Sequence, residues 1–417
     1  MFLLRVVALF QKVQSERVMR NVGLRLAVSL ALLLAAGVGN AAPADYFPPR
    51  GTWDRKSPAE LGIDAARLSG AVDYAVANEN PSSKDVAEDL KNTFGKREPN
   101  FKIIGPTQTR AALNGIVIHR GSVVAEWGDT TRADMAHSVT KTFLTTVVGL
   151  AWQRGLIRDL NDRASSYLPT AERAQLFGTE HNGSITWDQL LRQTSDWSGT
   201  LWGVPDWADR PVGATPADWP NRPMHAPGTY FKYNDVRVNL LALCALQVWR
   251  RPLPQVLREE VMDPIGASST WRWYGYETSW VELDGQRVQS VSGGGHLGGG
   301  MFISAWDMAR FGYLFLRGGK WDGRQIVSER WIALARTPGP ANPNYGFANW
   351  YLNTDRKSLP SAPASAVRFL GNGANIIYID WDHDLIVVTR WIRGGDAMDQ
   401  FIGRVLGALK TSATARR

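Results

Sequence analysis

Residues 138–152 read Ser138-Val139-Thr140-Lys141-Thr142-Phe143-Leu144-Thr145-Thr146-Val147-Val148-Gly149-Leu150-Ala151-Trp152. No charged residue falls between Phe143 and Trp152, so the pattern predicts a buried helix over Thr142–Arg154 with a cation, Lys141, at its mouth. The free N–H groups of a first helical turn carry partial positive charge and disfavour an ammonium there, and burial acts in the same direction. Both effects favour a neutral amine. Ser138 stands one turn away on the same helix face, where such an amine can take its proton. The plain alternative is a surface lysine beside a helix-capping serine.

Outward from this helix, Gly115–His119 and Ser122–Trp127 are short, β-branched runs around Arg120-Gly121 and read as a hairpin. The matching signal lies almost at the other end, where Asn375–Ile379 and Leu385–Ile392 flank the polar turn Trp381-Asp382-His383-Asp384. Between the two, helical spacing marks Trp187–Gln193, Arg237–Trp249 and Ala305–Leu316, the last behind the capping sequence Ser304-x-x-Asp307. Ala59–Ala77 is also helical in pattern, Asp396–Lys410 is a closing helix, and the polar stretch Pro81–Gln108 reads as a long loop bordering a site. Hairpins at both ends imply an α/β (α+β) fold: an antiparallel sheet built from N- and C-terminal segments, flanked by helices, with an inserted, mostly helical part. The sheet part is expected at about 57–135 plus 290–412 and the helical part at about 142–289, within one domain over 42–417 and with the cleft between them.

Composition is that of an ordinary globular protein, with 44% hydrophobic and 21% charged residues among 417. The first 41 residues differ: Arg20 and Arg25 precede an apolar run, Leu26–Val38, and small residues follow at Gly39-Asn40-Ala41. This reads as a secretory signal peptide over 1–41, with Met19 as the expected start and a periplasmic or secreted product. The apolar run is short for a bilayer span, so no stable membrane insertion is expected after cleavage; an uncleaved anchor is the alternative. Because the segment carries five basic residues and one acid, removing it lowers the net charge from +8 to +4. With no Lys/Arg block besides, nucleic acid is not an expected partner. The single cysteine, Cys244, sits in the apolar run Leu240–Leu246 and is expected as a small buried hydrophobe.

Ser138-x-x-Lys141, followed by Gly155-Leu156-Ile157 through Tyr167-Leu168-Pro169, resembles the active-site helix of the serine β-lactamase and penicillin-binding protein superfamily. Later segments agree in order: Ile185–Leu191 with Gln193-Thr194-Ser195, Pro227-Gly228-Thr229 leading to Tyr233-Asn234-Asp235, Asp263-Pro264-Ile265-Gly266, and Gly298-Gly299-Gly300. The resemblance covers roughly Gly115 to the C-terminus. It implies a β-lactamase/transpeptidase-like fold and an exported serine hydrolase that cleaves an ester or amide through an acyl-enzyme. Ser138 would be the nucleophile, Lys141 its base and Tyr233 the second proton carrier, relaying to the leaving group or activating water. An unperturbed phenol titrates near 10, so Tyr233 would need a cationic neighbour, Lys141 being the obvious one. The backbone N–H groups of Ser138 and Ala374 would form the oxyanion hole, each contributing roughly 10²- to 10³-fold in rate. Asp235, Asn372 and Gly373 would contact substrate, a small-molecule ester or amide. No metal or organic cofactor is implied. A non-catalytic, penicillin-binding-like module for envelope peptides or a partner protein is the alternative from another class, and a β-lactamase or D-alanyl peptidase is the runner-up among enzymes.

Two departures matter. Asp235 stands where the superfamily usually has asparagine, adding an acceptor and a charge that can pair with Lys141; the lysine would then be an electrostatic support rather than a neutral base. Gly371-Asn372-Gly373 replaces the expected Lys-Thr-Gly, which weakens the case for carboxylate-bearing substrates unless Arg368 or Arg390 compensates. Other patterns point elsewhere. Gly293-x-Gly295-x-x-Gly298 formally matches a dinucleotide fingerprint but lacks a strong upstream strand and a βαβ series. Ser195-Asp196-Trp197 has tryptophan where a Ser-Asp-Asn element has asparagine and reads as a turn. The six histidines show no His-x-x-x-His pair, which disfavours zinc, and His137 reads as structural because adjacent helix residues point apart. The 18 tryptophans read chiefly as core, with aromatic cleft walls as the alternative for those in loops.

Overall fold

The computed structural model describes residues 46–409, so the expected signal segment lies outside the described residues. Its strands are β1 (Asn114–His119), β2 (Ser122–Trp127), β3 (Asp134–Met135), β4 (Arg272–Leu283), β5 (Gln286–Val291), β6 (Gly300–Ile303), β7 (Tyr351–Leu352), β8 (Val367–Gly371), β9 (Asn375–Asp380) and β10 (Leu385–Arg390). The helices that position the site are α1 (Ala65–Ala77), α2 (Val86–Thr93), α3 (Thr140–Gln153), α4 (Asp235–Trp249), α5 (Ala305–Leu316) and α6 (Asp396–Leu409).

The main sheet has the order β7-β8-β9-β10-β1-β2, so the hairpins from the two ends of the chain meet where β10 pairs antiparallel with β1, Val387 opposite Val117. Strands β1, β9 and β10 are buried along their whole length. Their alternation explains why both faces are covered. Val117, Ile376, Tyr378 and Val387 pack with Leu68 and Ala71 of α1 and Phe401 and Val405 of α6. The intervening residues face α5, where a Cβ on Gly312 would stand 2.5 Å from Ile377 and 3.5 Å from Ile386. Ser304 caps α5, its hydroxyl accepting from the N–H of Asp307 at 3.1 Å.

Two segments differ from the sequence expectation. Pro81–Gln108 contains α2, because Asp85 accepts hydrogen bonds from the N–H groups of Ala87 (2.9 Å) and Glu88 (3.2 Å) and starts a helix that polar composition conceals. The middle of the chain also carries a second antiparallel sheet, ordered β3-β6-β4-β5, whose long strand β4 holds Trp273, Tyr274, Tyr276 and Trp280. Its β5 is a strand just before Gly293, but it pairs antiparallel with β4 and leads into a loop, so the glycine pattern there opens no βαβ unit. Cys244 is buried on α4. Among the described residues no helix is long and apolar enough to cross a membrane.

Candidate active site

The chain enters α3 through a short 3-10 turn, His137–Val139, with His137 held at a left-handed φ of 48°. That turn presents Ser138, half-buried, while Lys141 in the first turn of α3 is completely buried. Lys141 Nζ donates to Ser138 Oγ at 2.9 Å and to Asp235 Oδ1 at 2.5 Å. Asp235 is the first residue of α4, behind Asn234, whose side chain caps the helix by accepting from the Arg237 N–H at 3.0 Å. A helix N-terminus favours a carboxylate, which is why an aspartate can be buried there. Two helix N-termini thus converge on one ion pair.

Asp235 is shared by more than one cation. Its Oδ2 accepts from Arg210 Nη1 at 2.9 Å, and His296 Nδ1 lies 3.5 Å from the same oxygen. Burial pushes the carboxyl up, but Lys141, Arg210 and His296 outweigh it and hold Asp235 below the ordinary carboxylate range. Arg210 also pairs with Asp209, and Asp209 accepts from the backbone N–H of Asp235. Gly294 lies against this assembly: a Cβ there would fall 2.0 Å from Asp235 Oδ1 and 2.2 Å from Lys141 Nζ. The glycine run singled out in the sequence therefore serves close backbone approach to an ion pair.

Tyr233 is half-buried, with Lys141 Nζ 4.8 Å and the Arg210 guanidinium carbon 4.9 Å from its ring centroid. Its phenol shares the cavity with the hydroxyls of Ser138 and Tyr351. Burial, then the Asp235 charge, pushes it well above the ordinary tyrosine value despite Arg210. The sequence reading anticipated a cation that would ease ionisation of this phenol; the two cations are present, but desolvation and the carboxylate prevail and the phenol stays protonated.

Ser138 and Tyr233 open into a cavity of about 810 Å³ whose walls include Phe94, Phe231, Tyr351, Leu370 and the turn from Gly371 to Ala374. Among the described residues no tryptophan lines it; Trp197 and Trp271 are core residues, and Trp280 is exposed. The β8–β9 turn runs through Asn372, Gly373 (φ 71°) and Ala374 (φ 54°), and Gly371 lies so close to the nucleophile turn that a Cβ would stand 2.3 Å from Ala136 O and 3.2 Å from the Ser138 amide nitrogen. Ala374 and Gly373 thus lie on the cavity wall next to Ser138. Asn372 lines the same wall but donates its side-chain amide to Asp89 of α2 at 3.1 Å.

The two arginines behave differently. Arg390 is fully buried and donates to the carbonyls of Ile303 (2.6 Å) and Met135 (2.9 Å) and to Asn375 Oδ1 (2.8 Å), so it braces the sheet. Arg368 lines the cavity, half-buried, forms no ion pair among the described residues, and meets Met398 Sδ at 3.7 Å. Asp196 lies in a sealed network, accepting from Arg237 at 2.9 Å and pairing with Arg222 at 2.8 Å, away from the cavity lining. His137 packs edge-on to Trp391 at 5.6 Å, and burial pushes its imidazole down to about 3, so it stays neutral.

Glu98, Asp209 and His296 bring one ligand atom each within 4.8 Å of one another, an arrangement a metal ion could take. The donor set argues otherwise. Glu98 accepts from the Arg210 amide (3.1 Å) and from His296 Nε2 (2.6 Å), and Asp209 accepts from Arg210 and Asp235, so an ion would have to displace a guanidinium. Arg210, His296, Glu98, Tyr351 and Gly294 are the site residues that sequence reasoning missed; the aspartate in the tyrosine motif, which requires extra cations when buried, was the one signal available for Arg210 and His296.

Residues 102–391 match the family model described as Beta-lactamase. No curated protein sequence matches the chain. Its fold is similar to that of a family VIII carboxylesterase (TM-score 0.53, 16% identity, covering 84% of this chain and 98% of that one). It is also similar to EstCE1, a hydrolase with promiscuous acyltransferase activity (TM-score 0.53, 17% identity, covering 85% and 100%). A third is a penicillin-binding protein homologue from Caulobacter crescentus (TM-score 0.50, 15% identity, covering 78% and 96%). The family match takes in well over half of the chain, both helix N-termini and the β8–β9 turn, and on it this protein belongs to the Beta-lactamase family.

Proposed function

We propose that the protein is an exported serine hydrolase that cleaves an ester or amide of a small molecule through an acyl-enzyme on Ser138. The observation that carries this reading is the 2.9 Å contact between Lys141 Nζ and Ser138 Oγ at the wall of an open cavity. Once Lys141 gives up a proton, its amine takes the Ser138 hydroxyl proton as Oγ attacks the carbonyl. The resulting oxyanion is met by the Ser138 and Ala374 backbone amides. Tyr233, held protonated, passes its proton to the leaving alcohol or amine and is reprotonated by Lys141; water then attacks the acyl-enzyme, regenerating the Ser138 hydroxyl and releasing the acid. Without a lysine on the wall strand, simple esters and short linear amides fit better than β-lactams.

The test is labelling with a fluorophosphonate and a fluorescent penicillin. Wild type should label and Ser138→Ala should not; absence of label on both would favour a binding module instead. A panel of p-nitrophenyl esters, nitrocefin and a D-alanyl dipeptide then sorts the substrate class, with esters expected to turn over fastest.

A further inference from the structure

Behind the Lys141–Asp235 pair, on the side away from Ser138, lies a buried histidine that the acylation scheme does not use. His296 is 5% exposed. Its Nε2 meets Glu98 Oε2 at 2.6 Å, so that nitrogen carries a proton for the carboxylate. Its Nδ1 is buried without a hydrogen-bond partner, and the group facing it is Asp235 Oδ2 at 3.5 Å. A neutral ring would aim a lone pair at that carboxylate oxygen, whereas an imidazolium would aim an N–H. In the resting state, before the lysine gives up its proton, the charge count agrees: Lys141, Arg210 and a protonated His296 balance Asp235, Asp209 and Glu98. With a neutral His296 the cluster would hold one uncompensated negative charge in the interior.

We propose that His296 is a positioning residue for the acylation machinery, its imidazolium competing with Lys141 for Asp235 and so freeing the lysine amine to act as base toward Ser138. The proposal rests on the reading of Ser138 and Lys141 as the acylating pair. A carboxylate bound to Lys141 alone would hold the ammonium form, and each further cation on that carboxylate weakens its hold. The surroundings of His296 favour its charge. Burial lowers its proton affinity, but Asp209, Glu98 and Asp235 raise it beyond what Arg210 takes away, and the net displacement is upward. The other faces are the rings of Phe94 at 4.4 Å and Phe101 at 6.1 Å, which carry no charge.

A second cavity, of about 300 Å³, gives this histidine its own surroundings. Its lining includes Glu98, Asp209, His296, Phe101, Trp202 and Lys102, and it shares no residue with the lining of the Ser138 cavity. His296 can therefore exchange its proton while substrate occupies the other side.

The experiment compares pH profiles of kcat/KM for a p-nitrophenyl ester in wild type, His296→Gln and His296→Lys, with fluorophosphonate labelling of Ser138 as the control. The neutral glutamine should move the acid limb upward by about one pH unit, which is about a tenfold loss on that limb, and the lysine should restore it. Equal loss at every pH in both variants would mean a merely structural histidine and would overturn the proposal. So would a limb that does not move. Should the variants fail to fold, histidine NMR of the wild type decides: a His296 ring still protonated at pH 7 supports the proposal, and a ring already neutral at pH 7 ends it. Loss of Ser138 labelling in wild type would instead remove the acyl-enzyme reading itself.

Discussion

Lys141 and Asp235 are 94 positions apart in sequence, and their charged atoms are 2.5 Å apart at the meeting of two helix N-termini. The carboxylate belongs at its helix end and the ammonium does not, so the pair is held by their mutual attraction against the α3 dipole and the loss of water. A catalytic lysine arranged this way is anchored and oriented.

Asp235→Asn therefore leaves Lys141 at a helix N-terminus with no carboxylate on it. The acid limb of kcat/KM should shift to lower pH, opposite in sign to the shift for His296→Gln. Breaking a buried pair costs about 3–5 kcal/mol, so thermal stability should fall as well. Ester hydrolysis against pH and a melting curve test both.

Gly294→Ala places a methyl 2.0 Å from Asp235 Oδ1 and 2.2 Å from Lys141 Nζ. Because the pair cannot move without losing Ser138, activity should fall by about 100-fold or more, the range of a lost acid–base group. Overpacking should cost about 1–3 kcal/mol. Steady-state kinetics and denaturant unfolding separate the two effects.

Arg368→Gln removes a cavity-facing guanidinium that forms no ion pair among the described residues. For acyl donors bearing a carboxylate, KM should rise about tenfold or more, since a hydrogen bond to a charged group contributes about 1.5–3 kcal/mol. KM for neutral esters should hold steady. Paired charged and neutral p-nitrophenyl esters make the comparison.

Stability should decline in acid for a reason separate from catalysis. Burial pushes His119 down to about 4 and His137 to about 3, so below their ordinary value near 6.5 the unfolded chain binds protons that the fold refuses. Their contribution is whole above that value and is lost progressively as pH falls toward the folded values. Asp235, whose folded value is also depressed, withdraws its share below about pH 4. His296 has the opposite sign: its raised value gives stability present at low pH and lost as pH rises through it. Urea midpoints between pH 7 and 4 should fall, and His119→Gln should flatten the slope by about 2–4 kcal/mol over that range.

Much of the frame was legible because short-range rules set it. The short, β-branched runs predict β1, β2, β9 and β10 to within two residues, and the Ser304 cap marks the start of α5. The Lys141-bearing helix was equally plain, since an uncharged run longer than a strand has few other solutions. Helix α2 was hidden because its composition is polar and its single strong signal, Asp85, is a cap also common in turns. Strand β4 was hidden because its aromatics suit a helix face as well as a sheet.

The order of residues alone carries the chemical repertoire: a hydroxyl and an amine one turn apart, a phenol ahead of a second helix, and an aspartate where a neutral amide was expected. What each group is worth follows from the folded arrangement, because charge states in an interior depend on distances between residues remote in the chain. Asp235, Arg210, His296 and Glu98 come from four separate segments, and no local pattern could announce that three carboxylates would meet a lysine, an arginine and a histidine behind one serine.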